Sequence, residues 1–392
     1  MTLIAFDTIE INKNFSWKCF PVKVSFPKVI PDTPKDHLKG ALHIRIRSIQ
    51  ERYDYSECAP NTNASYQGDY SGKYKYCSPW FIDDFTSKLR TTMLTINDVY
   101  GSLFGSWAIG NELILDSKPS EWELFMHAHH FAKQDGVVVY HVNEMLILGS
   151  YHATCQNYGH FMMDDLAPLM ILPRELLDRV YIPFSTDKPY VYEGFKAIGI
   201  RDDQLLLLQK DEWFHADTVY AFVDGRPYIT FSGICFIRLR DKFMTYYNTT
   251  NIKPVDYGLT NRKSGWRHIH NFDEVVDAYK TNFPEIDWKI IPDMIPTLNE
   301  TARIFAKIRL WFVIYGSGAL RGVFMHKNTI VCLGTTHVFE YSNLKSLIGS
   351  EHFVYLWQTG LRTWEPGDKV KIPAAVSAMR DCLKCDKDKK WR

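Results

Sequence analysis

Apolar runs of strand length alternate with stretches of helical periodicity from residue 255 to residue 357. Val255–Asn261 predicts a strand, and a helix follows from Asn271 through residue 282, with Glu274 three residues on to complete a capping box. Asp287–Ile291, Leu310–Tyr315, Thr329–Leu333 and Phe353–Leu356 predict further strands. Helices are predicted between them at Leu298–Lys307, from Gly316-Ser317-Gly318 through residue 326, and near residues 340–348. Such alternation predicts a parallel sheet covered on both faces. Upstream the pattern is sparser. Val137–Val142 and Met145–Gly149 read as two strands, Tyr181–Pro183 as a short strand, Tyr190–Ile198 as a helix ending near Gly199, and Asp217–Val223 as another strand.

Residues 1–80 are rich in Pro, Tyr, Asn and Ser and show little clean periodicity. The chain therefore divides on paper into an irregular N-terminal extension (1–100), a middle α/β domain (101–250) and a C-terminal α/β domain (251–392), with the boundary in the polar stretch Asn248–Lys253 before Pro254. A length of 392 residues suits two cores better than one. With 46% hydrophobic and 23% charged residues the chain is not of the disordered class. A net charge of +1 argues against nucleic acid or an anionic membrane as the main partner.

Cys58 and Cys77 bracket a polar segment and would close a loop in an oxidising compartment, and Cys382 and Cys385 read as a terminal disulfide or free thiols. Sequons at Asn14, Asn63, Asn248 and Asn299 point to a secretory lumen. Against that, Met1–Trp17 lacks the pattern of a signal peptide, and no apolar run reaches the roughly 18 residues of a membrane span. The sequence as it stands is expected to be soluble, with an anchor lying upstream or lost.

Chemistry concentrates in three places. In residues 157–173, His160 and Asp164 are four apart and share a helix face, while Met162, Leu166, Leu169 and Met170 form the apolar face. Pro168 there removes the hydrogen bond to the Asp164 carbonyl and predicts a kink. Asp165 lies roughly 100° away on an ideal helix, which makes it the poorer partner for His160. A carboxylate with a neighbouring imidazole suits a general base, and the plainer alternative is a polar helix face whose proline ends it.

The second place is the loop after the first C-terminal strand, where Arg262, Lys263 and Arg267 can grip a diphosphate. The third is Tyr315-Gly316-Ser317-Gly318 with Arg321 one turn on. Its glycines admit a ligand close to the backbone, and the helix N-terminus offers N–H groups to it. Both fall at the carboxyl edge of the predicted sheet, where open α/β folds bind ligands. His127, His129 and His130 diverge along one element and read as structural rather than metal-binding. Asp386 and Asp388, the sole Asp-x-Asp, sit in the charged tail and so are not expected to hold a divalent ion on a diphosphate.

These blocks resemble glycosyltransferase family 61, which includes plant β-1,2-xylosyltransferases and O-linked N-acetylglucosamine transferases. An Asn-x-x-His-x-x-x-Asp-x-Leu-Pro block appears as Asn157, His160, Asp164, Leu166 and Pro168, with Ala167 inserted, after the strand end Leu148-Gly149-Ser150. Ala197-Ile198-Gly199-Ile200 matches a helix ending in Leu-Gly-Ile/Leu. Leu259-Thr260-Asn261-Arg262-Lys263 with Arg267, Asn271 and a displaced Glu274 matches a third block, and Tyr315–Arg321 with Phe324-Met325 a fourth. The blocks keep their order from about residue 140 to 360. Tyr315 and Leu333 depart from the family pattern, standing where His and Glu are usual.

The resemblance implies a GT-B-like fold of two facing Rossmann-like domains with an irregular N-terminal extension. It implies inverting transfer of xylose or N-acetylglucosamine from a UDP-sugar to a glycan or glycoprotein hydroxyl in the Golgi or ER, without an essential metal or other cofactor. Asp164 would be the base and His160 its orienting partner. Arg262, Lys263, Arg267, Tyr315, Gly316, Ser317, Gly318 and Arg321 would hold the donor. A degenerate transferase acting as a glycan-binding scaffold, and a cytosolic nucleotide-binding regulator, are the competing readings.

Overall fold

A computed structural model of the chain describes residues 9–11, 18–21, 38–45, 90–102, 107–109, 112–115, 137–147 and 157–208 (less 171, 173, 186 and 187). It further describes 212–222, 234–335 (less 264), 343, 346, 347, 350, 352–361 and 368–387. The chain divides into two compact units between Phe231 and Ser232, about twenty residues before the boundary expected at Asn248–Lys253. The helix Ile234–Tyr246 accordingly belongs with the C-terminal unit, where it packs on the segment Ser317–Phe324.

Among the described residues the first unit is built on a sheet of eight strands: β1 (Ile9–Ile11), β2 (Lys18–Pro21), β3 (Leu38–Arg45), β4 (Arg90–Ser102), β5 (Trp107–Ile109), β6 (Glu112–Leu115), β7 (Val137–Ile147) and β10 (Glu212–Phe222). Its pairings are antiparallel except β7 with β10, so this unit is not the doubly wound parallel sheet expected of a Rossmann-like domain. The expectation of an irregular extension also fails at β1–β3, which are strands. A parallel pair, β8 (Ile182–Phe184) with β9 (Leu205–Leu207), joins β7 through Leu146 N–H to the Tyr181 carbonyl at 2.8 Å. The two strands expected within 137–149 are one, β7, which pairs with β10 from Val137 through Ile147. Val99, Met145, Phe214, Ala216 and Val219 point to the core from β4, β7 and β10.

Among the described residues the second unit is built on a five-stranded parallel sheet. In chain order its strands are β11 (Asp256–Leu259), β12 (Trp288–Ile290), β13 (Ile308–Ile314), β14 (Ile330–Thr335) and β15 (Phe353–Gln358), arranged β12-β11-β13-β14-β15. Every residue of β14, and all but Arg309 of β13, is buried, so both faces are covered as the continuous apolar runs predict. Helix Ile372–Lys387 packs on β14 and on Phe272–Asn282, while the segment Ser317–Phe324 packs on β13, with Ile234–Tyr246 and Leu298–Phe305 against it. No helix among the described residues is long and apolar enough to cross a membrane.

Two local expectations in this unit are corrected. Asn271 does not cap its helix with a side-chain bond. Its amide donates to the Val370 carbonyl (3.0 Å) and accepts from the Val370 N–H (2.9 Å), which leaves its oxygen committed to the chain's far end. The C-terminal segment is a helix rather than a charged tail. Cys382 on it is a buried free thiol, the second of the two states expected for it. Asp386 is buried too, accepting from Arg309 Nε at 2.7 Å and from the Tyr257 hydroxyl at 3.0 Å. That cluster fastens the last helix to the amino ends of β11 and β13. Asp386→Ala is expected to lower stability by about 1–3 kcal/mol, the cost of stranding donors that served a charged acceptor. Thermal melting measures it, and an unchanged midpoint would mean that helix packing alone holds the segment.

Candidate functional site

Asn157 starts the first cluster by capping a helix: its side-chain oxygen accepts from Gly159 N–H at 2.9 Å and from His160 N–H at 3.4 Å. The helix runs as α over Tyr158–His160, as π over Phe161–Leu166, and as α again over Ala167–Leu169. The wide turn is the fold's answer to Pro168. The Ala167 N–H reaches back five residues to the Met162 carbonyl, so the chain passes the proline by widening instead of breaking. Gly194, on the neighbouring helix Pro189–Ile198, lets that helix lie against this turn. A Cβ there would meet Phe161 at 2.7 Å and Leu166 at 2.8 Å.

His160 Nδ1 lies 2.7 Å from Asp164 Oδ2, as the four-residue spacing predicts, with side-chain exposures of 16% and 2%. The second oxygen of Asp164 is buried without a hydrogen-bond partner among the described residues. Burial pushes the Asp164 pKa well above the ordinary carboxylate value. Asp165 is fully buried rather than turned to a polar face, since the π-turn does not keep the 100° step of an α-helix.

The second cluster lies at the carboxyl edge of the parallel sheet, on the loops after three adjacent strands. After β11, the Asn261 side chain both donates to the Ile269 carbonyl (2.9 Å) and accepts from the Ile269 N–H (3.0 Å), closing the Arg262–His268 segment into a compact loop. Within it Arg267 takes a left-handed φ of 64°, rare for a side chain of this size. After β13, Gly316 has φ 136° and ψ −173°, a region essentially reserved for glycine. A Cβ at Gly316 would stand 3.2 Å from Arg267 Nη1 and 3.5 Å from Arg262 Nη1. The two guanidiniums thus flank one point of bare backbone.

Their electrostatics fit that arrangement. Burial, and secondly the charge of Arg267, hold the Arg262 pKa below its ordinary value, with Asp293 and Tyr315 acting the other way. Arg267 lies over the buried Tyr315 ring, 4.7 Å from its centroid, and its Nε is buried without an acceptor among the described residues. Two like charges converging in a half-buried place make a site for an anion.

After β12, Asp293 was not expected from the sequence. Its Oδ2 accepts from the Lys263 N–H at 3.0 Å and its carbonyl accepts from Arg321, so Arg321 acts first as a clamp between loops. The other terminal nitrogen of Arg321 faces Gly318, where an added Cβ would meet it at 3.9 Å. Lys263 is exposed, and the Gly316 N–H donates to the buried Asn343 side chain, also unforeseen. Ser317 opens a 3₁₀ helix, Ser317–Phe324, in place of the expected α-helix through residue 326. His127, His129, His130, Cys58 and Cys77 lie outside the described residues.

Residues 158–332 match the family model described as Glycosyltransferase 61, an interval that contains every site residue named above except Asn157 and Asn343. No curated protein matches the chain. The matched segment supports assignment of the protein to glycosyltransferase family 61.

The raised Asp164 pKa has a thermodynamic consequence. A carboxyl whose folded pKa exceeds its unfolded value stabilises the fold below the unfolded pKa and loses that contribution as pH rises through the folded one. With an unfolded value of 3.8, wild-type stability should fall relative to Asp164→Asn as pH is raised above 4. Melting temperatures of the two proteins across pH test this. A difference that does not change with pH would mean that His160 keeps the carboxyl charged.

Proposed function

With residues 158–332 assigned to glycosyltransferase family 61, we propose that this glycosyltransferase takes a UDP-sugar, of xylose or N-acetylglucosamine, and transfers the sugar with inversion to a hydroxyl of a glycan or glycoprotein. The observation that carries the donor reading is the convergence of Arg262 and Arg267 on Gly316. A diphosphate neutralises both guanidiniums, and the N-terminal turn of the Ser317–Phe324 helix adds N–H groups beside it. Trp266 (49% exposed) and Met294 (76% exposed), on the loops after β11 and β12, offer apolar surface of the kind a uracil ring covers.

In this reading the acceptor oxygen attacks the anomeric carbon from the side opposite the diphosphate, its proton passes to Asp164, and UDP leaves with the bonding electron pair. A raised pKa makes Asp164 the stronger base once ionised, and His160 orients it. Charge growing on the departing UDP meets the fixed guanidiniums, so the transfer needs no divalent ion on the diphosphate. The secretory lumen is the proposed compartment. Asn248, exposed in a left-handed turn, is its more accessible described sequon, because Asn299 bonds Arg303 and its Thr301 is buried in a helix.

Two variants test the assignments. Arg267→Ala is expected to weaken UDP binding by about 1.5–3 kcal/mol in a calorimetric titration, the worth of hydrogen bonds to a charged group, with little change in melting temperature and no effect of EDTA. Unchanged affinity would reject the donor site. Asp164→Asn should cut transfer by roughly 10²–10⁴-fold while leaving UDP affinity intact. Transfer at the wild-type rate would move the base to another group, His160 first. UDP binding by the wild type without transfer to any acceptor would favour the non-catalytic, glycan-binding relative.

A further inference from the structure

On the first unit, three neighbouring strands bring four ionisable side chains to the solvent face of one sheet. His215 on β10 lies opposite His141 on β7 in the parallel register, and Asp217 follows His215 by two residues on the same face. Asp98 comes from β4 on the other side. His215 Nε2 is 2.7 Å from Asp98 Oδ1, and His215 Nδ1 is 2.6 Å from His141 Nδ1. His141 Nε2 is 3.7 Å from Asp217 Oδ1. One ligand atom from each of His141, His215 and Asp217 falls within 4.8 Å of the others.

The hydrogen bonding decides what this cluster can hold. Asp98 accepts only a proton, so it selects the His215 tautomer with Nε2–H and leaves the Nδ1 lone pair directed at His141. Asp217 Oδ1, at 3.7 Å, is beyond hydrogen-bond reach of His141 Nε2, so His141 is left to present either a proton or a lone pair from Nδ1 toward His215. The His215 Nδ1 lone pair, 2.6 Å from His141 Nδ1, needs a positive centre between the rings, and the candidates are a proton shared with His141 and a metal ion bound by both nitrogens. Two imidazoles, one carboxylate and a second carboxylate behind one imidazole form the ligand set and outer shell of late first-row metals, not of calcium or magnesium.

We propose that His141, His215 and Asp217 bind a divalent transition-metal ion of the zinc class, with Asp98 orienting His215. Tetrahedral coordination at zinc–nitrogen distances of about 2.0–2.1 Å separates two ligand nitrogens by roughly 3.3 Å. The imidazoles therefore part slightly on binding, which His141, with a side chain 63% exposed, is free to allow. Asp217, 56% exposed, swings in as the third ligand, and water completes the shell. The ion would tie β7 to β10 from the solvent side. The site shares no residue with the proposed donor and base groups and does not rest on the transferase reading.

The test is titration of the full chain with Zn²⁺ against a competing chelating dye, followed by Co²⁺ as a spectroscopic probe. One equivalent should bind to the wild type, and a visible tetrahedral Co²⁺ spectrum without a thiolate charge-transfer band should appear. His141→Ala, at an exposed position where folding is not at stake, should abolish both. Asp98→Asn should weaken zinc binding by about 10–100-fold, as outer-shell partners do. Zinc and cobalt titrations indistinguishable between wild type and His141→Ala would overturn the proposal and leave a shared proton as the occupant.

Discussion

Burial of β13 and β14 on both faces is the constraint from which the second unit's chemistry follows. A sheet with no wet face has nowhere for charge except the ends of its strands. At the amino ends stands the Asp386, Arg309 and Tyr257 cluster, which fastens the last helix. At the carboxyl ends stand Arg262, Arg267, Arg321 and Asp293. One sheet thus sorts its polar groups into an acid-centred end and an arginine-rich end. The sorting needs no special sequence beyond unbroken apolar strands and short loops.

The first unit solves a different problem. Its sheet is mostly antiparallel with exposed positions on one face, so ionisable side chains can sit along the strands themselves, as His141, His215 and Asp217 do. Its candidate catalytic pair is instead withdrawn into a helix. There burial raises the Asp164 pKa, and the π-turn accommodates a proline that would otherwise end the helix.

Much of the second unit was legible because long apolar runs have few other fates. The parallel order, the strand at Ile308–Ile314 and the glycine turn after it all follow from pattern. Gly199 as the end of the helix Pro189–Ile198 was equally readable. Residues that act across sequence distance were not. Asp293 and Asn343 reach the loops after β11 and β13 from 30 and 27 residues away, and nothing local marks them. Asn271 looked like a cap because capping is a local habit, and the fold diverted its amide to Val370, 99 positions on. The His141–His215 contact spans 74 residues and is visible only in the strand register. The proline rule predicted disturbance at Pro168 correctly and its form incompletely, since widening and breaking begin from the same missing N–H.

Gly194 carries no functional group, yet the contact it permits sets where the His160 helix lies. Nearly any side chain there would push against Phe161 and Leu166, which belong to the same π-turn as Asp164. A survey of variants would therefore score this position among the most sensitive in the first unit, alongside His160 and Asp164. Having no side chain, it would act on its neighbours only through the space it leaves open.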